Sequence, residues 1–305
     1  MSKRGWALFA AMSVIWGMPY LLIKIAVGGV PVPVLVLARV AVGAALLLPL
    51  ALRRGQLAAL APVWRWVAAF AFVEVIVPWF VLSEAERHIT SSLSGLLIAA
   101  VPIIMSLLAL LISDGDRPSP MRWTGLLIGL VGVGLLAGPK LFGSHVSATV
   151  ALSVGGALFV ALCYATGPLI ANRKLAGVPS VAVNAASLSL AAVVYAPLAA
   201  LDWPSSVPAA KVLLSLAGLA VICTALAFIV FFSLIAEVGP ARASVITYVN
   251  PAVAVVLGVA VLGEHVTPLM LAAFAAILAG SVLATRAGRR PEPAPPVREE
   301  VAEPA

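Results

Sequence analysis

The stretch TSSLSGLLIAAVPIIMSLLALLI, residues 90–112, decides the fold. It is apolar over a length that crosses a bilayer, which takes about 20 residues of helix. Small residues at Ser91, Ser92, Ser94 and Gly95 open it, and Pro102 stands in its middle. The same pattern returns about 149 positions later. Pro251 lies over Pro102, Ser244 over Gly95 and Ala243 over Ser94. The surroundings follow at nearly the same offset: Trp16-Gly17 over Tyr164-Ala165, Pro49 over Pro197, Trp79-Phe80 over Phe228-Ile229. A match sustained at one offset is the mark of an internal duplication.

Composition names the solvent. Of 305 residues, 63% are apolar and only 10% charged, with a mean hydropathy of +1.13. A soluble domain is nearer half apolar and a quarter charged, so the surface must be covered by lipid. The net charge of +7 does not indicate nucleic acid. The basic residues fall in short segments between apolar runs, as orientation signals do. Cys163 and Cys223 lie inside apolar runs and read as small buried hydrophobes, not as a disulfide or metal pair. His88, His145 and His265 fall in loops with no spacing that would build a metal site. No cofactor motif is present.

Ten apolar runs can be read: Trp6–Val27, Val34–Leu52, Trp64–Leu82, Thr90–Ile112, Met121–Gly138, Ala148–Ala171, Val181–Leu201, Val212–Ile235, Ala241–Leu262 and Leu269–Thr285. Gly and Pro clusters, such as Gly28-Gly29 with Pro31 and Pro33, separate them. The runs do not alternate polar with apolar, which excludes a β-barrel. Lys3 and Arg4 precede a run too long for a cleaved signal, with no small-residue cleavage site after it, so it reads as the first helix. With the N-terminus inside, fourteen Lys and Arg fall in inner segments and three, Arg87, Lys140 and Lys211, in outer ones. That asymmetry places both termini in the cytoplasm of an inner- or plasma-membrane protein.

The expected fold is therefore an all-α polytopic membrane protein, ten transmembrane helices built as two five-helix repeats. Five is odd, so the second repeat enters from the opposite side and the repeats are inverted. The expected boundaries are 1–140, 141–287 and a Pro- and Glu-rich disordered cytoplasmic tail, 288–305. Inverted repeats place a substrate site near the midplane between the halves. Runs 5 and 10 are the shortest.

This order of motifs resembles the EamA family of the drug/metabolite transporter superfamily. The residues that carry it are Trp16-Gly17 and Arg39, then the Ser/Gly-rich start and Pro102 of run 4, then Ser244 through Pro251 in run 9. Leu262-Gly263-Glu264 with Thr267 closes the second repeat as is usual in that family. The first repeat departs, with Asp114-Gly115-Asp116 where Gly-Glu is typical. The resemblance covers nearly all of the chain except the tail. It implies a ten-helix exporter of amino acids, other metabolites or drugs with a central cavity, and no particular substrate.

Glu74 is the most informative single residue. It lies ten residues into run 3, about 15 Å deep at 1.5 Å per residue. A carboxylate there must be paired, hydrated or protonated. It reads either as a proton-coupling or amine-binding group, or as a structural partner, with Arg39 as a candidate. Arg39 either snorkels, caps a neighbouring helix, or pairs with Glu74 or a substrate carboxylate. Lys24, one turn from the end of run 1, reads as snorkelling. Pro102 and Pro251 each remove a mid-membrane hydrogen bond and read as a site or hinge. Tyr248 and Asn250 flank this kink and offer a hydroxyl and an amide, to a ligand or across helices. Trp16, Tyr20, Trp79 and Tyr164 either line an aromatic cavity or pack. Gly125 and Gly129 allow close helix approach, within the protomer or across a homodimer.

The leading reading is a secondary transporter, an exporter of small molecules by alternating access, with proton coupling through Glu74 as one version. An uptake permease or lipid flippase of the same fold is the alternative. A channel would line a pore with polar or charged rings. An intramembrane enzyme lacks its motifs: there is no His-Glu-x-x-His, no Gly-x-Ser-x-Gly and no paired membrane aspartates. No phosphate-binding loop is present, so ATP is not the direct drive. An assembly factor is the remaining alternative.

Overall fold

Local chemistry sets the helix ends. The computed structural model describes residues 1–112, 119–142 and 147–286. Ser2, Thr90, Ser119 and Ser147 each accept a backbone N–H three residues on, capping the first turn of the helix that follows. Glycines in the left-handed region end others: Gly55 follows the second helix at φ 63° and Gly263 the ninth at φ 64°.

The spans between these signals are α1 Lys3–Ala26, α2 Val32–Arg53, α3 Gln56–Ala85, α4 Ser91–Leu111, α5 Pro120–Leu141, α6 Ala148–Lys174, α7 Ser180–Leu201 and α8 Ala210–Val238. Then come α9, Ile246–Leu262, after the single turn Pro240–Ala243, and α10, Pro268–Arg286. Nine spans among the described residues are long and apolar enough to cross a membrane, and α9 is a shorter apolar helix. Runs 5 and 10 are thus not the shortest, because α5 reaches from Pro120 to Leu141 and α9 loses its first turns to an interruption at Ser244–Val245. The tail 288–305 and the Asp114-Gly115-Asp116 turn lie outside the described residues, as does His145.

The packing obeys a pseudo-twofold. Helices α2 and α7, equivalent in the two repeats, pack on each other, and so do α5 and α10. The pair α1–α8 mirrors α6–α3, and α1–α9 mirrors α6–α4. Helices α4 and α9 meet along the axis between the repeats. Gly125, Gly129 and Gly132 of α5 are consumed by contacts inside the chain. A Cβ on Gly280 of α10 would stand 2.4 Å from the Gly129 backbone N and 2.5 Å from the Gly125 carbonyl O. That is backbone-on-backbone approach of the small-x-x-x-small kind.

Both repeats carry the same backbone irregularity. A π-helical segment interrupts α3 at Phe72–Ile76, and another interrupts α8 at Gly218–Leu226. The repeat offset carries the first onto the second. Such bulges leave carbonyls out of the regular ladder and gather at functional sites.

Candidate functional site: two buried polar clusters between the repeats

The central cluster gathers at the two bulges. Arg39 of α2 is 9% exposed. Its guanidinium lies 3.5 Å above the Trp79 ring of α3, and its Nε donates to Thr224 Oγ1 across 3.1 Å. Thr224 stands in the α8 bulge and donates to Leu219 O at 2.9 Å, five residues back. The other bulge has its own anchor. Tyr195 of α7 donates from its hydroxyl to Ile76 O at 2.7 Å, with its ring stacked on Phe80 at 6.3 Å between centroids. Each repeat's second helix therefore reaches into the bulge of the other repeat.

Tyr20 and Tyr164, on α1 and α6, lie within electrostatic reach of Arg39. Tyr20 also approaches the Gly95–Pro251 contact where α4 meets α9. The structure thus brings together Arg39, Trp79, Tyr20 and Tyr164. It does not pair Arg39 with Glu74. The ion pairs among the described residues are Arg4–Glu237, Arg87–Glu84 and His88–Glu84, at helix ends. Arg39 turns to the α8 bulge, whereas Glu74 points across to α6.

Glu74 packs against Gly167. A Cβ at 167 would fall within bonding distance of the carboxylate, so only glycine leaves it room. The Glu74 Oε2 is buried with no hydrogen-bond partner among the described residues.

The remaining expected residues lie apart from this cluster. Trp16 packs on Phe231 at 4.7 Å between centroids. Asn250, with its amide turned to suit its neighbours, donates to Ser13 O at 3.3 Å and Ile246 O at 3.0 Å, so it bonds across helices. Tyr248 is half-buried near the same end. Pro102 follows a break in α4 at Ala99–Ala100, whereas α9 runs unbroken through Pro251. The two prolines do not make matching hinges, because α9 is interrupted earlier, at Ser244–Val245.

The second cluster closes the end of the bundle away from the chain termini, called here the distal end. Gly263 turns the chain back: its N–H bonds Val259 O and the Glu264 N–H bonds Gly258 O, both at 3.1 Å. This aims Glu264 at the start of α4. Its Oε1 accepts from Ser91 N at 2.8 Å and Ser91 Oγ at 2.9 Å, and its Oε2 from Ser92 N at 2.8 Å. A carboxylate on the free N–H groups of a helix start is favoured by both hydrogen bonding and the helix dipole. Gly258 makes the approach possible, since a Cβ there would lie 2.4 Å from Ser92 Oγ. At Gly95 a Cβ would lie 2.7 Å from Ala254 Cβ, so these halves of α4 and α9 are sealed.

Beside this seal, Lys24 of α1 does not snorkel. Its Nζ donates to Glu86 O at 2.5 Å and Ile89 O at 2.7 Å, clamping the end of α3. Glu86 itself is fully buried. Sequence reading passed it over because it follows the apolar run, where a carboxylate is ordinarily wet.

The other half of α4, Val101–Ile112, packs on α5, α6 and α10, while α9 turns to α1. Toward the termini, Thr247 and Val245 of the α9 region are exposed. Helices α4 and α9 are thus packed together distally and take different partners toward the termini.

The model of the EamA-like transporter family matches residues 3–138 and 151–286. The inner membrane transporter YedA of Escherichia coli K12 is 28% identical over 294 residues, spanning 95% of this chain and 93% of its own. The transporter YvbV of Bacillus subtilis 168 is 24% identical over 269 residues, 87% of this chain and 86% of its own. A crystal structure shares the fold with a TM-score of 0.64 at 22% identity, covering 94% of this chain and 98% of that one.

Proposed function

The chain belongs to the EamA-like transporter family, and we propose that it is a secondary exporter of amino acids or other small carboxylate-bearing metabolites, working by alternating access from the inner or plasma membrane. One observation carries the reading. The same two helices, α4 and α9, are sealed through Glu264 and Gly258 at one end and take different partners toward the other. A contact that joins inverted repeats at one end only is what rocking requires. The Lys and Arg asymmetry supports a cytoplasmic position for both termini. The end where α4 and α9 diverge then faces the cytoplasm, the side from which an exporter loads.

Arg39 supplies the substrate class. It is a membrane-buried cation with no carboxylate within ion-pair distance among the described residues, held by an aromatic ring and one hydroxyl. A planar guanidinium in that position recognises a carboxylate by paired hydrogen bonds. Trp79, Tyr20 and Tyr164 form the aromatic wall beside it. Glu74 takes the proton or the substrate amine. The repeats 1–140 and 141–287 are the moving bodies. The internal use of the α5 glycines supports a single chain as the transporting unit.

The test compares extracellular metabolites from cells with and without overexpression, then loads the enriched compound into proteoliposomes. Arg39→Gln is expected to lose transport. Glu74→Gln is expected to insert normally and lose its response to a pH step. If no compound is enriched outside, the exporter reading fails. If Glu74→Gln answers the pH step as the wild type does, the coupling role fails.

A further inference from the structure

A carboxylate that nothing above uses sits inside the distal seal. Glu86 ends α3 and is wholly buried, and neither of its oxygens has a hydrogen-bond partner among the described residues. The Ser94 hydroxyl of α4, equally buried, stands close enough to favour a charged Glu86 but short of hydrogen-bond geometry. From α1, the Lys24 ammonium is committed to the carbonyls of Glu86 and Ile89 and is not in ion-pair contact with the carboxylate. From the α9 end, Glu264 adds a second negative charge. Arg39 of α2, Tyr20 of α1 and Tyr164 of α6 complete the charged and titratable company. Glu86 also lies at the negative pole of α3.

A buried carboxyl with two unsatisfied oxygens cannot remain charged without a ligand. A metal ion or substrate amine is disfavoured here. Lys24 already holds the two carbonyls that would coordinate it, and the ammonium repels a second cation. A proton fits, because it neutralises the group and turns it into a donor toward Ser94.

We infer that Glu86 is the proton-binding site of the distal gate: the carboxyl takes up a proton from the distal aqueous phase as α1, α3, α4 and α9 come together there, and returns it when they part. The inference rests on the alternating-access reading and adds to it the group that couples the gate to pH. Burial pushes the Glu86 carboxyl well above the usual carboxylate range; Lys24, Ser94 and Arg39 oppose it, and the Glu264 charge adds to it. Because the closed state holds the proton more tightly than the open one, closure is favoured at low pH. It weakens as pH rises from the ordinary carboxylate range toward the raised closed-state value.

The test measures the distance between spin labels at Arg87 and His265, both exposed at the distal end, in the full chain with Cys163 and Cys223 replaced by alanine. In the wild type the ratio of short to long distance should fall about tenfold per pH unit within the titration window, as one proton requires. Glu86→Gln, a permanently neutral mimic, should hold the short distance as pH rises through the neutral and alkaline range. If Glu86→Gln keeps the wild-type response, or Glu74→Gln abolishes it, the site is misassigned. Glu264→Gln, which breaks the seal while leaving the Glu86 carboxyl in place, should populate the long distance. If it does so while the wild type ignores pH, alternation stands and the proton site falls. If no pH and no variant gives a second distance, both readings fall together.

Discussion

Arg39 of the first repeat donates its Nε–H to Thr224 Oγ1 of the second across 3.1 Å. The hydroxyl it meets is itself bonded back to Leu219 O, the spacing of a π-helical turn. The guanidinium is therefore positioned by one repeat's ring, Trp79, and the other repeat's bulge. A movement of the repeats against each other must carry or break this contact, so the state of the cation reports the state of the transporter.

Arg39→Lys keeps the charge and loses the planar fork and the ring stacking. Transport of a carboxylate substrate should fall at least about tenfold, the loss of one good charge-assisted pair, with membrane yield unchanged. Thr224→Val keeps the shape and removes only the oxygen. It should cost about 0.6 kcal/mol, and at most about 1.7, as interhelical bonds in membranes do. Transport assayed beside thermal unfolding in detergent separates the two. Wild-type rates in Arg39→Lys would remove the guanidinium from the substrate path.

Gly280→Val tests the α5–α10 seam. Even a Cβ there meets the backbone of Gly125 and Gly129 at 2.4–2.6 Å, and backbone cannot step aside as a flexible side chain can. The cost should be about 1–3 kcal/mol, read as a lower unfolding temperature. Gly134→Ala is the control, since nothing lies within 4 Å of its added methyl. Equal effects at both positions would mean the seam does not hold the two repeats.

Run lengths and breakers made the ten-helix, two-repeat fold legible, because lipid admits few alternatives. The residues at site level were half legible. Arg39, Trp79, Tyr20 and Tyr164 announced themselves as polar or aromatic groups at depth. The hydroxyls that tie the bulges did not, since Thr224 and Tyr195 carry no signal apart from the bulges that need them. Gly167 was invisible because its meaning is the space it leaves for Glu74. Glu86 and Glu264 sit beyond the apolar runs, where hydropathy assigns charge to water. Only the return of the chain at Gly263 and the clamp of Lys24 take Glu264 partly and Glu86 wholly out of water.

Tyr195→Phe removes the hydroxyl that satisfies Ile76 O and keeps the ring on Phe80. A buried carbonyl of the α3 bulge is then left without its donor. Stability should drop by about 0.6–1.7 kcal/mol. Hydrogen exchange should speed up at Phe72–Ile76 more than in the flanking turns of α3. Uniform exchange along α3 would mean the bulge is held by packing alone.

The two distal acids should answer pH in opposite directions. Burial acts to raise the Glu264 carboxyl, but the donors on Ser92 and Ser91 outweigh it, and the net position is below the usual carboxylate range. A lowered group contributes fully above its unperturbed value, about 4.3, and its contribution is lost as pH falls through the lowered one. The Glu264 cap should therefore hold the distal seal throughout the neutral and mildly acid range and fail only at strongly acid pH. Glu86, raised by burial, weakens the same seal as pH climbs. The wild-type seal should thus be tightest in a band just above the Glu264 limit and loosen on either side. In Glu264→Gln the amide sets an N–H against the N–H groups of α4, which costs about 1–3 kcal/mol at every pH and erases the acid limb. In Glu86→Gln the alkaline limb disappears and the acid limb stays. Protease sensitivity of the distal loops across pH would read both limbs. A single limb in the wild type, unmoved by either variant, would show that neither carboxylate governs closure.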